Sequence, residues 1–139
     1  FNKGGTVTLG DVAVTMVNAV HSSTTRTENG LQAMGSECGF MIEAEGRTIY
    51  VSGDTDVMAD MALFNDLHEP EIGILACGGH FTMDMRRAAY AANKFFNFTT
   101  IIPCHYRTFP ILEQSAQVLI DEVPSARVIE PDVMVPFTL

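Results

Sequence analysis

Four side chains able to ligate a metal ion each stand just beyond a run of strand-forming residues. His21 follows VAVTMVNAV, Asp54 follows RTIYVSG, His80 follows EIGILACGG, and His105 follows TTIIPC. In an open α/β sheet, ligands bind beyond the carboxyl ends of the strands, so strands sharing one orientation gather these groups on one rim. Imidazole nitrogen with carboxylate oxygen is the donor set of Zn²⁺ and, with more oxygen, of Mn²⁺ or Fe²⁺. A cation also accounts for the VSGDTD turn, where Asp54 and Asp56 stand two residues apart. Like charges that close call for something positive nearby, and Gly53 lets the backbone turn sharply enough to present Asp54.

Other polar residues have simpler readings. Asp56 suits the N-cap of a helix starting at Val57, its carboxylate accepting backbone N–H groups. His68, in LHEP, suits the last turn of that helix and the negative end of its dipole. Ser22 and Ser23 lack the Gly-x-Ser-x-Gly elbow of a nucleophilic serine. The Gly-Gly of CGGH is too short to cradle a phosphate, so nucleotide binding gains no support. Tyr90 and the helical methionines read as core.

The elements that must position these groups follow from hydrophobic period. TVTLG (6–10), VAVTMVNAV (12–20), CGFMIEA (38–44) and RTIYVSG (47–53) are β-branched or alternating, with a hairpin turn at EAEGR. DVMADMALFNDLH (56–68) spaces Val57, Met61, Phe64 and Leu67 at helical intervals, and EIGILAC (71–77) reads as a buried strand. A helix with an alanine-rich face (83–96), a strand at TTIIPC (99–104) and a helix over 110–123 with Pro110 in its first turn follow. ARVIE and VPFTL close the chain as short strands. Between the second and third strands, residues 21–37 read as a polar loop too long for mere connection, and such loops are usually functional or disordered. A meander followed by β-α-β-α-β predicts an α/β (α+β) fold, a mixed sheet with helices.

Composition sets bounds on partners. At 139 residues the chain is one domain, and 47% hydrophobic against 18% charged residues, below the roughly 25% usual for soluble domains, implies surface that is meant to be covered. A net charge of −9 with no basic run argues against nucleic acid and acidic membrane surfaces as partners. Cys38, Cys77 and Cys104 form no close pair and no CxxC knuckle, which fits reduced thiols in a cytoplasmic protein. No apolar run approaches the roughly 20 residues of a membrane span and no leader pattern precedes the first strand. The start at Phe1, directly before a Gly-Gly turn, reads as the middle of a longer protein.

MVNAVHSS, IYVSGDTDVMADM, GGHFTMD followed by AAYAANKF, and IIPCHYRTFPILEQ together resemble the later motifs of the metallo-β-lactamase superfamily, in particular its UPF0173 type of metal-dependent hydrolases. They are similar also to the lactonases that open ascorbate phosphate rings. The resemblance runs from about Gly4 to Val123. It implies half of an αββα sandwich, with helices on one face of the sheet, over residues 1–139. It implies that His21 binds one metal ion, that Asp54 bridges two, and that His105 binds the second, Zn or Mn being the expected ions. Two such ions roughly 3.5–4 Å apart share a hydroxide that attacks the carbonyl or phosphoryl group of a small-molecule substrate. His80 falls in a loop bordering the pocket and is expected to touch substrate or a ligand, with Thr82 and Tyr106 beside it.

One departure from the family is large. Its His-x-His-x-Asp-His signature, which supplies two ligands to each metal, is absent, and no two histidines stand two residues apart. The resemblance therefore points to the C-terminal half of a hydrolase, completed by a missing N-terminal half or by another copy in a homo-oligomer. A non-catalytic module that binds metal or pairs through its bare sheet face is the alternative.

Overall fold

The computed structural model describes residues 1–139. In chain order the elements are β1 (Thr6–Leu9), β2 (Val12–Asn18), β3 (Thr24–Thr27), β4 (Gly30–Ala33), β5 (Cys38–Ala44), β6 (Arg47–Val51), α1 (Asp60–His68), β7 (Ile72–Ala76), α2 (Met85–Phe95), β8 (Thr100–Cys104), α3 (Gln117–Glu122) and β9 (Arg127–Val128). Seven strands form one sheet in the order β1-β2-β5-β6-β7-β8-β9. Pairing is antiparallel from β1 to β6 and parallel from β6 to β9. Two antiparallel steps restore direction, so β2, β6, β7 and β8 all run the same way. Their carboxyl ends share one rim.

Local chemistry sets the turns. The β5–β6 hairpin turns through Glu45 and Gly46, both at positive φ (54° and 74°), the geometry whose twist matches the flanking strands. α1 ends where Glu69 adopts a left-handed conformation and Pro70 follows, since a residue before proline is pushed out of the helical region. α2 begins at Asp84, whose carboxylate accepts the backbone N–H of Arg87 at 2.7 Å.

All three helices pack on one face of the sheet. Thr15, Met41, Tyr50, Gly73 and Ile101 lie opposite one another across five strands and look toward them. Met61 and Phe64 of α1, the alanines of α2 and Leu119 of α3 close the core over Met41, Tyr50 and Ile101. A side chain at Gly73 would meet the Phe98 ring at 2.8 Å, so this glycine lets Phe98 lie on the sheet, stacked on Phe96, which in turn stacks on Tyr50. The opposite face carries Val14, Met16, Phe40, Ile42, Ile49, Val51 and Ile74, all half-buried. No helix covers it. Phe1 rests against Phe40, and Phe137 and Leu139 line a groove with Ile49 and Ile72.

Five local expectations change, the first being Tyr90, which lies 57% exposed on α2 and is not core. Residues 21–37 contain the β3–β4 hairpin, a separate two-stranded sheet turning at Glu28 and Asn29. α1 starts at Asp60 with Ala59 at its N-cap, and Asp56 is not that cap: its carboxylate accepts the Val57 N–H at 2.7 Å and both of its oxygens bind Arg87 (2.8 and 2.7 Å). α3 is confined to Gln117–Glu122, since residues 105–116 are spent on turns that return the chain to the rim. VPFTL forms no strand, and its Phe137 and Leu139 cap the sheet end instead. His68 ends α1 as expected and pairs with Glu43 at 3.0 Å.

Candidate metal centre at the strand rim

The rim is stapled together through one buried threonine. The Thr55 hydroxyl accepts the N–H of Val20 at 2.9 Å and donates to the carbonyl of Asp56 at 2.8 Å. Its own carbonyl accepts the N–H of Met83 at 3.1 Å, while Asp56 N–H donates to Val20 C=O at 3.0 Å. Three loops, after β2, β6 and β7, thus hang on a residue with no exposed surface. Ser52, equally buried, accepts the N–H of Ala76 at 3.0 Å and fixes the end of β6 to β7. The loop after β8 joins through Glu113 N–H to Gly78 C=O at 2.8 Å. Thr55 and Ser52 escaped the sequence reading; a small hydroxyl between two aspartates in a tight turn is the signal that marks Thr55.

Two glycines shape this frame. Gly53 sits at φ +60°, and a methyl there would overlap the carbonyl oxygen of Cys38. Gly78 has no positive φ, yet a methyl on it would overlap the carbonyl oxygen of His105 and come within 3.1 Å of its Nδ1. His80 and His105 themselves hold left-handed backbone (φ 50° and 59°), an unfavourable region for a residue with a Cβ that recurs at functional sites.

Asp54 and His105 come together. His105 Nε2 stands 3.7 Å from Asp54 Oδ2, too far for a hydrogen bond. Two ligands about 2.0–2.1 Å from one Zn²⁺ at a tetrahedral angle stand about 3.4 Å apart, so the gap has the size of a shared cation. His105 Nδ1 is buried without a partner, which leaves the ring free of the hydrogen bond that would otherwise fix its orientation. This pair fits a metal ion. His21 is turned differently: Nε2 lies 3.0 Å from the carbonyl oxygen of Phe81 and Nδ1 lies 2.9 Å from that of Ser22. A neutral imidazole has one N–H, so only one of these contacts is a hydrogen bond in that form. No three His, Cys, Asp or Glu side chains close around one point.

His80 is exposed, its ring edge-on to Phe81 at 4.5 Å. It lines an open cavity of about 560 Å³ with Gly78, Asp84, Glu113 and Ser115, beside His105. Tyr106 donates its hydroxyl to Glu130 at 2.7 Å, and Thr82 donates to the Met83 carbonyl at 3.2 Å, so both are already engaged.

Burial pushes the Cys104 thiol up to about 11, with the Asp54 charge adding to it. Burial, then Cys104, Glu113 and Asp84, push the Cys77 thiol up to about 12. A thiol raised in the folded state keeps its proton where the unfolded chain has lost it, so its contribution is whole below the unfolded value near 9 and is lost as pH rises through the folded one. Urea midpoints measured at rising pH are therefore expected to fall above about pH 9, less steeply for Cys77→Ala; parallel slopes would rule this out.

A β-lactamase superfamily domain model matches residues 1–106. The chain is 72% identical over 134 residues to a UPF0173 metal-dependent hydrolase of Dinoroseobacter shibae, covering 96% of this chain and 58% of that protein. It is 60% identical over 139 residues to another of Paracoccus denitrificans, covering 100% and 60%. It thus spans under two thirds of these relatives' length. Among solved structures, a metallo hydrolase of Ignicoccus hospitalis superposes with TM-score 0.78 at 28% identity, over 100% of this chain and 60% of that one. The metallo-β-lactamase fold protein YhfI of Bacillus subtilis superposes with TM-score 0.67 at 15% identity, over 93% and 50%, a likeness of fold alone.

Proposed function

The chain belongs to the β-lactamase superfamily, and from that we propose that it carries the C-terminal part of the active site of a metal-dependent hydrolase. The observation that supports this reading most is the approach of His105 Nε2 to Asp54 Oδ2 at 3.7 Å. Asp54, His105 and, once its ring leaves the Phe81 carbonyl, His21 hold the divalent ions, Zn or Mn. When bound, such ions supply a water of lowered pKa and a Lewis acid for the scissile carbonyl or phosphoryl oxygen.

The chain's own residues supply the rest. The Asp54 carboxylate orients the attacking water and takes its proton. His80, at the mouth of the cavity, hydrogen-bonds the substrate beside the reacting group. The substrate is a small ester, lactone, amide or phosphoester. The remaining ligands come from a segment outside these 139 residues, matching the relatives' greater length, or from a second copy. The three unpaired thiols fit a reducing cytoplasm, and no helix is long and apolar enough to cross a membrane.

The half-buried apolar sheet face favours one other reading, a non-catalytic module that pairs through that face. Elemental analysis of the purified chain, with its mass in solution, separates the two. Bound transition metal at about one ion per chain or more supports the hydrolase reading. A metal-free dimer that also takes up no added Zn²⁺ or Mn²⁺ supports the module.

A further inference from the structure

The β3–β4 hairpin leaves the sheet just past the Asn18–Cys38 pair, at the rim that carries Asp54 and His105, and its first strand begins three residues after His21. It pairs with no strand of the main sheet. Its register sets Arg26 opposite Leu31 and Thr24 opposite Ala33 on one face, with Thr25, Gln32 and Thr27 on the other. Both faces are open, and Leu31 is 74% exposed. An apolar side chain beside a guanidinium on a ribbon that the fold leaves bare is a surface with unspent binding capacity.

Charge decides what it fits. At this end of the molecule Arg87 is held by Asp56, Arg107 by Glu130, Arg86 by Glu122, and Lys3 by the amide oxygen of Asn18. Lys94, in the last turn of α2, and Arg127, opposite the first residue of β8, lie at the far end. Arg26 alone among the rim cations has neither carboxylate nor hydrogen-bonding partner. The carboxylates of this rim, Asp54, Asp84 and Glu113, offer an anion nothing, so Arg26 is the one side-chain cation at this end left free to receive one.

We infer that this hairpin is the substrate-reading element of the site, with Arg26 binding an oxyanion, carboxylate or phosphate, and Leu31 the apolar group that carries it. The inference rests on the hydrolase reading only for the word substrate; the recognition itself needs no metal. Arginine suits it because its planar fork meets two oxygens of one anion at once.

The test is amide NMR of the ¹⁵N-labelled chain, with chelator and again with Zn²⁺, titrated with 4-phenylbutyrate, phenyl phosphate and the neutral 4-phenylbutyramide. Saturable shifts at Arg26 and Leu31 are expected with one or both anions, with the neutral amide about tenfold weaker or more. Response to one anion alone names the class. Arg26→Gln abolishes the preference and Arg26→Lys keeps part of it; neither touches the core, so both fold. Equal response to the amide, no response to either anion, or an unchanged Arg26→Gln overturns the inference. The Zn²⁺ arm keeps the outcomes separate: a chain that takes up no added Zn²⁺ yet still prefers anions counts against the hydrolase reading alone, and a Zn²⁺-binding chain without that preference refutes this inference alone.

Discussion

Asp54→Asn is expected to lower the affinity of the chain for Zn²⁺ or Mn²⁺ by about a hundredfold or more, roughly 3 kcal/mol at about 1.4 kcal/mol per tenfold, and to leave its melting temperature nearly unchanged. The separation comes from what Asp54 touches. Its side chain is 48% exposed, and the one side chain that approaches it as an ion-pair partner is His105, with Nε2 at 3.7 Å, beyond hydrogen-bond reach. The turn itself is held by Gly53 and by the Thr55 hydroxyl, neither of which needs the Asp54 carboxylate. An amide of the same shape keeps that turn and removes the negative oxygen a cation requires. Asp56→Asn is the control two residues away: it weakens the bidentate grip on Arg87 and leaves metal affinity alone. Competition against a chromogenic chelator reads both. Wild-type affinity in Asp54→Asn, or equal losses in the two variants, would remove Asp54 from the site.

The contrast between these two aspartates also marks how far the sequence could be read. Strand-end placement was legible, because four β-branched runs each stop at a ligand-type residue, and the shared direction of β2, β6, β7 and β8 does bring those ends to one rim. The partner of Asp56 was not legible. Arg87 lies 31 residues further on, and only the packing of α2 over the rim brings it within reach. The hairpin of residues 24–33 was missed for another reason: its strands are exposed on both faces, so they lack the apolar alternation that identifies a half-buried strand, and only Asn29-Gly30 signals the turn. Helix lengths were overread where helical spacing ran past the true start, as at Val57, because a period of apolar residues does not show where the backbone begins to bond to itself. His21 stands at the predicted strand end, yet its ring turns to a carbonyl that no local pattern could reveal.

Gly78→Ala is expected to cost about 3 kcal/mol of stability, a fall of about 10 °C in melting temperature, and to take metal affinity with it. Gly78 does not sit at positive φ, so conformational strain contributes nothing; the cost is contact. The added methyl overlaps the carbonyl oxygen of His105, and neither backbone can step aside freely. Cys77 N–H is bonded to Cys104 C=O at 3.1 Å on one side, and Gly78 C=O receives Glu113 N–H at 2.8 Å on the other. Relief therefore displaces His105 or breaks the staple to the 111–115 loop, and either moves Nε2 away from Asp54. Gly46→Ala makes the comparison: that glycine is at φ 74° with open space around it, so its substitution costs only the left-handed penalty of about 1–2 kcal/mol and leaves metal binding intact. Thermal melts of both variants, with chelator competition on the folded fractions, distinguish the two costs. If Gly78→Ala melts with Gly46→Ala and binds metal as the parent does, the backbone behind His105 is not what aims its ring at Asp54.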